Sequence, residues 1–186
     1  MTFGDPSEFA IEADVELGLM PGSAVWGHMC VWCRRFALGK IDERHCGLYP
    51  SYRSFKWLAE HLDELWTPEL AAFSDAGKWN FLKTLLYGYQ GDIDLGEHDR
   101  RTREEMRLDW TEYGRFDFLT NWGEQFDGGF ASFLFRPPGG DVHILSRAFP
   151  ANVGLCVRVS AKAFLTAATG FIDWFEQQER RLRPTE

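Results

Sequence analysis

Cys30-Val31-Trp32-Cys33, with His45-Cys46 downstream, is the one grouping of soft ligands in the chain. Thiols at this spacing, joined by an imidazole and a further thiol, are the material of a zinc site or a dithiol redox pair. The local geometry argues against both. In a regular strand Cys30 and Cys33 point to opposite faces, whereas a zinc knuckle presents its pair on a tight turn. Redox exchange wants a helix N-terminus beside the pair to lower a thiol pKa, and the pattern offers none there. The cysteines are therefore read as buried structural thiols, with zinc on Cys30, Cys33, His45 and Cys46 as the alternative. A nucleophile could be assembled from Cys46 or Cys156 with His28 or His143, yet no nucleophile signature surrounds them. The chain also has no phosphate-binding loop, dinucleotide fingerprint, nucleophile elbow or paired-histidine zinc motif.

Carboxylates are the second candidate chemistry. Asp92-Ile93-Asp94-Leu95-Gly96-Glu97-His98-Asp99 suggests calcium, but it lacks the third spaced carboxylate and the closing bidentate Glu of a calcium loop. It reads as a solvated acidic loop and as the best surface in the chain for a basic partner. Asp117, Glu124 and Asp127 with Trp122 and Phe126 form a second acidic and aromatic cluster, the composition of an anchor with a charged rim. Core aromatics with ordinary solvated acids would look the same. The expected partner-binding residues are Asp92, Asp94, Glu97, Asp99, Asp117, Trp122, Glu124 and Asp127. Arg100-Arg101-Thr102-Arg103 before Glu104-Glu105 reads as an exposed helical start with internal charge pairing.

Several elements must position these groups. After a Phe3-Gly4-Asp5-Pro6 turn, Phe9, Ile11, Ala13, Val15 and Leu17 alternate with Glu12, Asp14 and Glu16, which predicts a half-buried strand with carboxylates outward. A sheet that begins there leaves no room for a targeting segment. Residues 24–38 are apolar at both parities and read as a central strand or a bulged pair. Residues 41–50 can return as a short edge segment. Ser54 is a candidate cap for a helix to Trp66, Thr67-Pro68 for a short helix to about Phe73, and Trp79–Tyr87 reads as a third. Residues 88–105 read as a long surface loop that turns helical toward Trp110. Strands are expected over Arg115–Thr120, Phe130–Arg136, Asp141–Arg147 and Val153–Val159, with Pro137-Pro138-Gly139-Gly140 as a hairpin turn. Ser160 caps a helix to about Arg181, with Phe164, Leu165, Ala168, Phe171, Ile172 and Phe175 as its core stripe. The expectation is one α+β domain over residues 1–186, with a mainly antiparallel sheet of about six strands, a central helical segment and a long C-terminal helix.

Composition narrows the partners. The 186 residues carry a net charge of -8, which argues against a nucleic-acid backbone or an anionic membrane and leaves a basic protein as the plausible partner. A 16% aromatic content describes a bulky core, not a disordered chain. No stretch approaches the roughly 18 apolar residues of a membrane helix, and four cysteines are too sparse for a disulfide scaffold, so a soluble cytoplasmic protein with reduced thiols is expected.

Met1-Thr2-Phe3-Gly4-Asp5-Pro6-Ser7-Glu8-Phe9-Ala10-Ile11-Glu12 resembles the opening of the immunity protein 42 family of bacterial polymorphic toxin systems. The length and the closing strand and helix, Val153 to Arg181, are compatible with it. The resemblance implies a small cytoplasmic protein, encoded beside a secreted toxin, that protects its own cell by binding the toxin's catalytic domain. It implies no catalytic residue, no metal ligand and no cofactor. An acidic inhibitor suits a basic toxin such as a nuclease, where carboxylates occupy the groove meant for phosphates. Two other classes stay in view: a small enzyme with a Cys/His or zinc site, and a module binding a ligand in an aromatic pocket between sheet and helices. Nothing in the sequence specifies an oligomeric state.

Overall fold

The alternating segment forms β2 (Phe9–Val15), in which Phe9, Ile11 and Ala13 are fully buried and Asp14 is exposed. The computed structural model describes residues 1–39, 41–42, 45–90, 93–120, 122–126, 130–148 and 154–184, with Gln90, Ile93, Asp94, Glu97 and Ala148 described by backbone alone. Ala10, on the outward parity, is fully buried as well, and two further features depart from plain alternation. Leu17 lies beyond the end of the strand and is wholly exposed, and Glu12 accepts from Trp32 Nε1 at 2.8 Å instead of facing only water. Phe3-Gly4-Asp5, expected in a turn, belongs to β1 (Thr2–Asp5), antiparallel to β2. The turn itself follows, with the Ser7 amide donating to Asp5 Oδ1 at 2.8 Å and the Glu8 amide to the Asp5 carbonyl at 2.9 Å.

Residues 24–38 contain two strands, β3 (Trp26–Cys33) and β4 (Phe36–Leu38), joined by Arg34-Arg35. Both arginines have left-handed backbones, with φ of 48° and 72°. That conformation suits a two-residue hairpin but is unfavourable for long side chains. Amides from Arg34 to the Glu8 carbonyl, at 3.0 Å, and from Arg35 to the Pro6 carbonyl, at 2.8 Å, hold it in place. β5 (Cys46–Gly47) pairs with the other end of β3, so the sheet runs β1-β2-β3-β4 with β5 also on β3. Met29, Val31 and Cys33 are fully buried on one face, whereas on the other Cys30 is buried and Trp26, His28 and Trp32 are half-buried. β3 is thus covered fully on one face and partly on the other, not on both as expected.

α1 (Tyr49–His61) begins ahead of Ser54, which lies mid-helix. Pro50 in its first turn is the start signal, because proline fixes a helical φ where no amide partner is needed. A 3-10 turn, Pro68–Ala72, follows Thr67 as expected. α2 (Asp75–Tyr87) is capped by Ser74, whose Oγ accepts from the Gly77 amide at 3.2 Å, and is stopped by Gly88 at φ 66°. The polar stretch after it holds a small ribbon, β6 (Tyr89–Gln90) with β7 (Ile93–Asp94), then a 3-10 turn at Gly96–His98. α3 (Arg103–Tyr113) starts on a reciprocal capping box between Thr102 and Glu105.

The strand expected over Arg115–Thr120 is absent. Gly114–Phe116 is a 3-10 turn, Asp117 makes an isolated bridge to Phe133, and Leu119 at φ 65° breaks any extended run. β8 (Phe130–Phe135), β9 (Val142–Ala148) and β10 (Gly154–Val159) form a second antiparallel sheet ordered β10-β9-β8. Ser160 caps α4 (Ala161–Arg181), its Oγ accepting from the Ala163 amide at 3.1 Å. Ala167 and Trp174 join Phe164, Ala168, Phe171 and Phe175 on its buried stripe, while Leu165 and Ile172 are half-buried. The α+β class, the central helices and the long last helix match the sequence pattern, with the strands divided between sheets of five and three.

α4 lies on β1, β2 and α1, whereas α2 packs on β8, β9 and α3. Phe55 of α1 joins the halves: its ring meets Phe118 and Trp122 on one side and Phe164 and Phe171 on the other. The opening residues latch β1 to α4. Phe3 packs against Phe171 and Trp174 at centroid distances of 6.2 and 5.7 Å. Gly4, at φ 92°, leaves no room for a side chain, since a Cβ would stand 2.4 Å from the Phe9 carbonyl oxygen and 2.9 Å from Ala167 Cβ. Among the described residues, no helix is long and apolar enough to cross a membrane.

Candidate functional site

One face of α1 and the C-terminal end of α3 face each other across a groove of about 580 Å³. Pro50, Arg53, Ser54, Trp57 and Leu58 recur at helical spacing along the α1 wall, while Trp110, Thr111 and Gly114 form the α3 side. Asp117 and Trp122 complete the lining, with Arg115 beside them. The two wall tryptophans are unusually open, Trp57 at 39% and Trp110 at 42% relative exposure. Each is nevertheless held in place. Trp57 stacks on His61 at 4.7 Å, and Trp110 meets Tyr87 edge-on at 5.6 Å while lying over Gly114, where a Cβ would be 2.8 Å from its ring. Rings fixed this way lose little entropy when a partner covers them.

Trp122 is buried, braced by Phe55 and Phe118, with its carbonyl accepting from Ser51 Oγ at 3.0 Å. Its Nε1 donates to Asp117 Oδ2 at 3.3 Å, and the Tyr87 hydroxyl donates to Asp117 Oδ1 at 2.5 Å. Both carboxylate oxygens are thus engaged. Burial is the dominant influence on Asp117, and its pKa is pushed up to about 7 against the opposing pull of these hydrogen bonds. Burial, followed by the Asp117 charge, pushes the Tyr87 hydroxyl well above its ordinary range. The pair is an internal tie between α2 and the segment after α3.

Several cations around the groove are ion-paired. Lys56 pairs with Glu176, Lys78 with Asp75, Arg101 with Asp99 and Asp109, and Arg136 with Asp63. Arg53 and Arg115 take part in none of the ion pairs among the described residues. Arg53 lies over the Tyr49 ring at 6.0 Å and Arg115 over Phe116 at 4.9 Å. Arg115 Nε is buried without a hydrogen-bond partner, a state that costs about 1–3 kcal/mol.

Trp110 also forms one wall of a second hollow, about 390 Å³, lined with Tyr87, Gly96, Asp99, Arg101 and Met106. Arg101 is its hub. It meets Asp99 through Nη2 at 2.7 Å and Nε at 3.1 Å, Asp109 at 2.7 Å, and the Leu85 and Thr84 carbonyls at 2.6 and 3.0 Å. The Asp99 carboxyl is held below the usual carboxylate range by those Arg101 bonds. A basic run read as simple helical pairing therefore supplies the residue that fastens the acidic loop to the C-terminal end of α2.

Of the expected partner-binding residues, the fold brings Asp117 and Trp122 together in the groove and Asp99 into the adjoining hollow. Glu124 is exposed, in a 3-10 turn that precedes β8. Asp92 and Asp127 lie outside the described residues, and Asp94 and Glu97 are placed by backbone alone. Arg53, Trp57, Trp110 and Arg115 were not singled out by sequence. A signal existed for the tryptophans: Trp57 falls off the Phe55, Leu58, Leu62 stripe, and Trp110 is a large ring on a mostly polar helix.

The cysteines are dispersed. Cys30 and Cys33 sit on β3, Cys30 Sγ lying 4.0 Å from Glu12 Oε2, and burial pushes its thiol up to about 12. His45 stacks on Trp26 at 4.4 Å, with Nδ1 2.9 Å from Glu16 Oε1. Among the described residues, no three Cys, His, Asp or Glu side chains gather as a metal site. Cys156 Sγ donates to Asp75 Oδ2 at 3.1 Å, and burial with that bond raises its thiol to about 11. A thiol held protonated at neutral pH is a poor nucleophile.

The immunity protein 42 family model matches residues 1–154 of the chain. The fold is similar to the crystal structure of CdiI from Burkholderia dolosa AUO158, with a TM-score of 0.60 and 13% sequence identity over 94% of this chain and 99% of that one. At this identity the likeness is one of fold. No curated protein matches the chain.

Proposed function

The chain belongs to the immunity protein 42 family, and from that premise we propose that it binds a cognate toxin in the cytoplasm and neutralises it by covering the toxin's active domain. The observation that carries the choice of surface is the pair of tryptophans, Trp57 and Trp110, about two-fifths exposed on opposite walls of one groove. Large aromatics are favoured anchors in interfaces, where a few well-packed residues supply most of the affinity. Both walls are regular helix, so the anchors are presented on rigid elements.

In this reading the acidic residues attract the partner. Asp92, Asp94, Glu97 and Asp99 precede α3, and Glu124 and Asp127 follow Trp122, so both acidic segments flank the groove's elements in the chain. With a net charge of -8, they would draw in a basic toxin such as a nuclease and raise the association rate. Asp117 and Trp122 contribute by shaping the floor. Reversing Asp92, Asp94, Glu97, Glu124 and Asp127 together leaves the Arg101 tie intact and should slow association most at low salt. An unchanged rate would remove the acidic residues from the account.

The direct test is co-expression with the toxin domain encoded by the adjacent upstream reading frame. The expected result is survival of the producing cell and recovery of a stoichiometric complex. Cell death together with independent migration of the two proteins would overturn the function.

A further inference from the structure

We infer that the groove between α1 and α3 receives a toxin segment that places a carboxylate between Arg53 and Arg115 and an apolar side chain against Trp57 and Trp110. This inference rests on the immunity reading and specifies the chemistry of the partner at the same surface. The chain has 28 acidic and 20 basic side chains, so carboxylates to pair with are abundant, and Lys56, Lys78, Arg101 and Arg136 have each found one. Arg53 and Arg115 have none among the described residues. Exposed cations such as Arg100 and Arg103 share that state, but Arg53 and Arg115 line one groove, and Arg115 Nε is shut off from water as well.

The acid nearest in chain order does not fill that need. Asp117 lines the same groove, but its two oxygens accept from Tyr87 and Trp122. The groove therefore presents guanidinium donors with no acceptor among the described residues. Arg115 Nε is the sharpest case, because it is removed from water and still unbonded. A planar guanidinium is matched in geometry and charge by a carboxylate, which can take two parallel hydrogen bonds from it. The aromatic walls exclude water around such a pair and strengthen it. They also supply contact surface for the residue next to the carboxylate, which favours a peptide segment over an isolated ion.

The acidic residues and this cationic groove divide the work. Long-range attraction of a basic toxin acts through the acidic residues, and the groove then selects the one patch of that toxin whose charge is reversed. A wrong basic protein would be attracted equally well and leave the arginines unpaired, which makes the groove a specificity element.

The test uses the full chain and the catalytically inactivated toxin domain from the adjacent upstream reading frame. Affinities are measured for the wild type, Arg53→Gln, Arg115→Lys and the double variant Arg53→Gln with Arg115→Gln, each with its melting temperature. Arg53 is exposed on α1, so Arg53→Gln remains informative if the double variant folds poorly. The double variant should bind about 100-fold more weakly, and Arg115→Lys should lose most of the Arg115 contribution, since charge without the planar fork is insufficient. Each toxin Asp and Glu is then changed to its amide. One of these should weaken binding to the wild type and have no further effect on the double variant, the non-additivity expected of a direct pair. If the wild type binds the toxin and the arginine variants bind equally well, the groove assignment fails while the immunity function stands. Loss of affinity without any coupled toxin carboxylate overturns the carboxylate. No binding by the wild type overturns the function and this inference together.

Discussion

The two sides of α1 belong to different kinds of surface. Toward α4, rings close on one another: Tyr52 stacks on Phe175 at 4.3 Å, and Phe171 touches Phe3, Phe55, Trp174 and Phe175. Its charges are settled as well, with Lys56 and the Tyr52 hydroxyl both donating to Glu176 Oε1 at 2.9 Å. Toward α3, equally large rings stay open, and two arginines have no carboxylate partner among the described residues. The first arrangement maximises the stability of the chain alone. The second leaves apolar area and hydrogen-bonding capacity unused, which is the state of a surface whose partner is missing. The contrast also divides the opening residues from the groove: Phe3 and Gly4 fasten β1 to α4 and do not line the groove.

Substitutions can break this contrast or sharpen it. Phe171→Ala, at the centre of the closed side, should cost about 3–5 kcal/mol of stability in a denaturant titration. A loss below about 1 kcal/mol would mean that this packing is not tight. Asp117 gives the next effect. Burial raises its pKa to about 7, so the folded protein retains a proton that the unfolded chain has released above about pH 4. Its contribution is fully present below pH 4 and is lost as the pH rises through about 7. Asp117→Asn should remove a slope worth up to roughly 4 kcal/mol over that window, read from melting temperatures between pH 4 and pH 8. An unchanged slope would show that another group titrates.

Gly4→Ala forces a side chain into a left-handed position and against the Phe9 carbonyl. It should cost about 1–3 kcal/mol while leaving toxin affinity per folded molecule unchanged. A selective loss of affinity would move the binding face toward β1. The smallest effect on stability is expected in the groove itself, where Trp57→Ala should cost under about 1 kcal/mol because the ring is largely open.

Much of the frame was legible because its determinants are local. The Ser160 cap, the Pro137–Gly140 hairpin signal and the period-two pattern of β2 act over a few residues, and each element formed where it was expected. Errors arose where a nearby cue competed with packing. Ser54 reads as a cap, but Pro50 had already started the helix. Residues 115–120 read as a strand, but Leu119 adopts a left-handed backbone and only Asp117 is bridged to β8. Of the residues lining the groove and the adjoining hollow, sequence singled out Asp117, Trp122 and Asp99. It missed Arg53, Trp57, Trp110 and Arg115, because their meaning depends on α1 and α3 facing each other. An unpaired guanidinium is visible only once every nearby carboxylate has been assigned.

The central claim is that the open side of α1 is the toxin-binding face. It is tested most directly by comparing the affinity of the inactivated toxin domain for the wild type with that for Trp57→Ala combined with Trp110→Ala. The account predicts at least about a 100-fold weaker complex, with a melting temperature within a few degrees of the wild type. Equal affinity in the two proteins would contradict it.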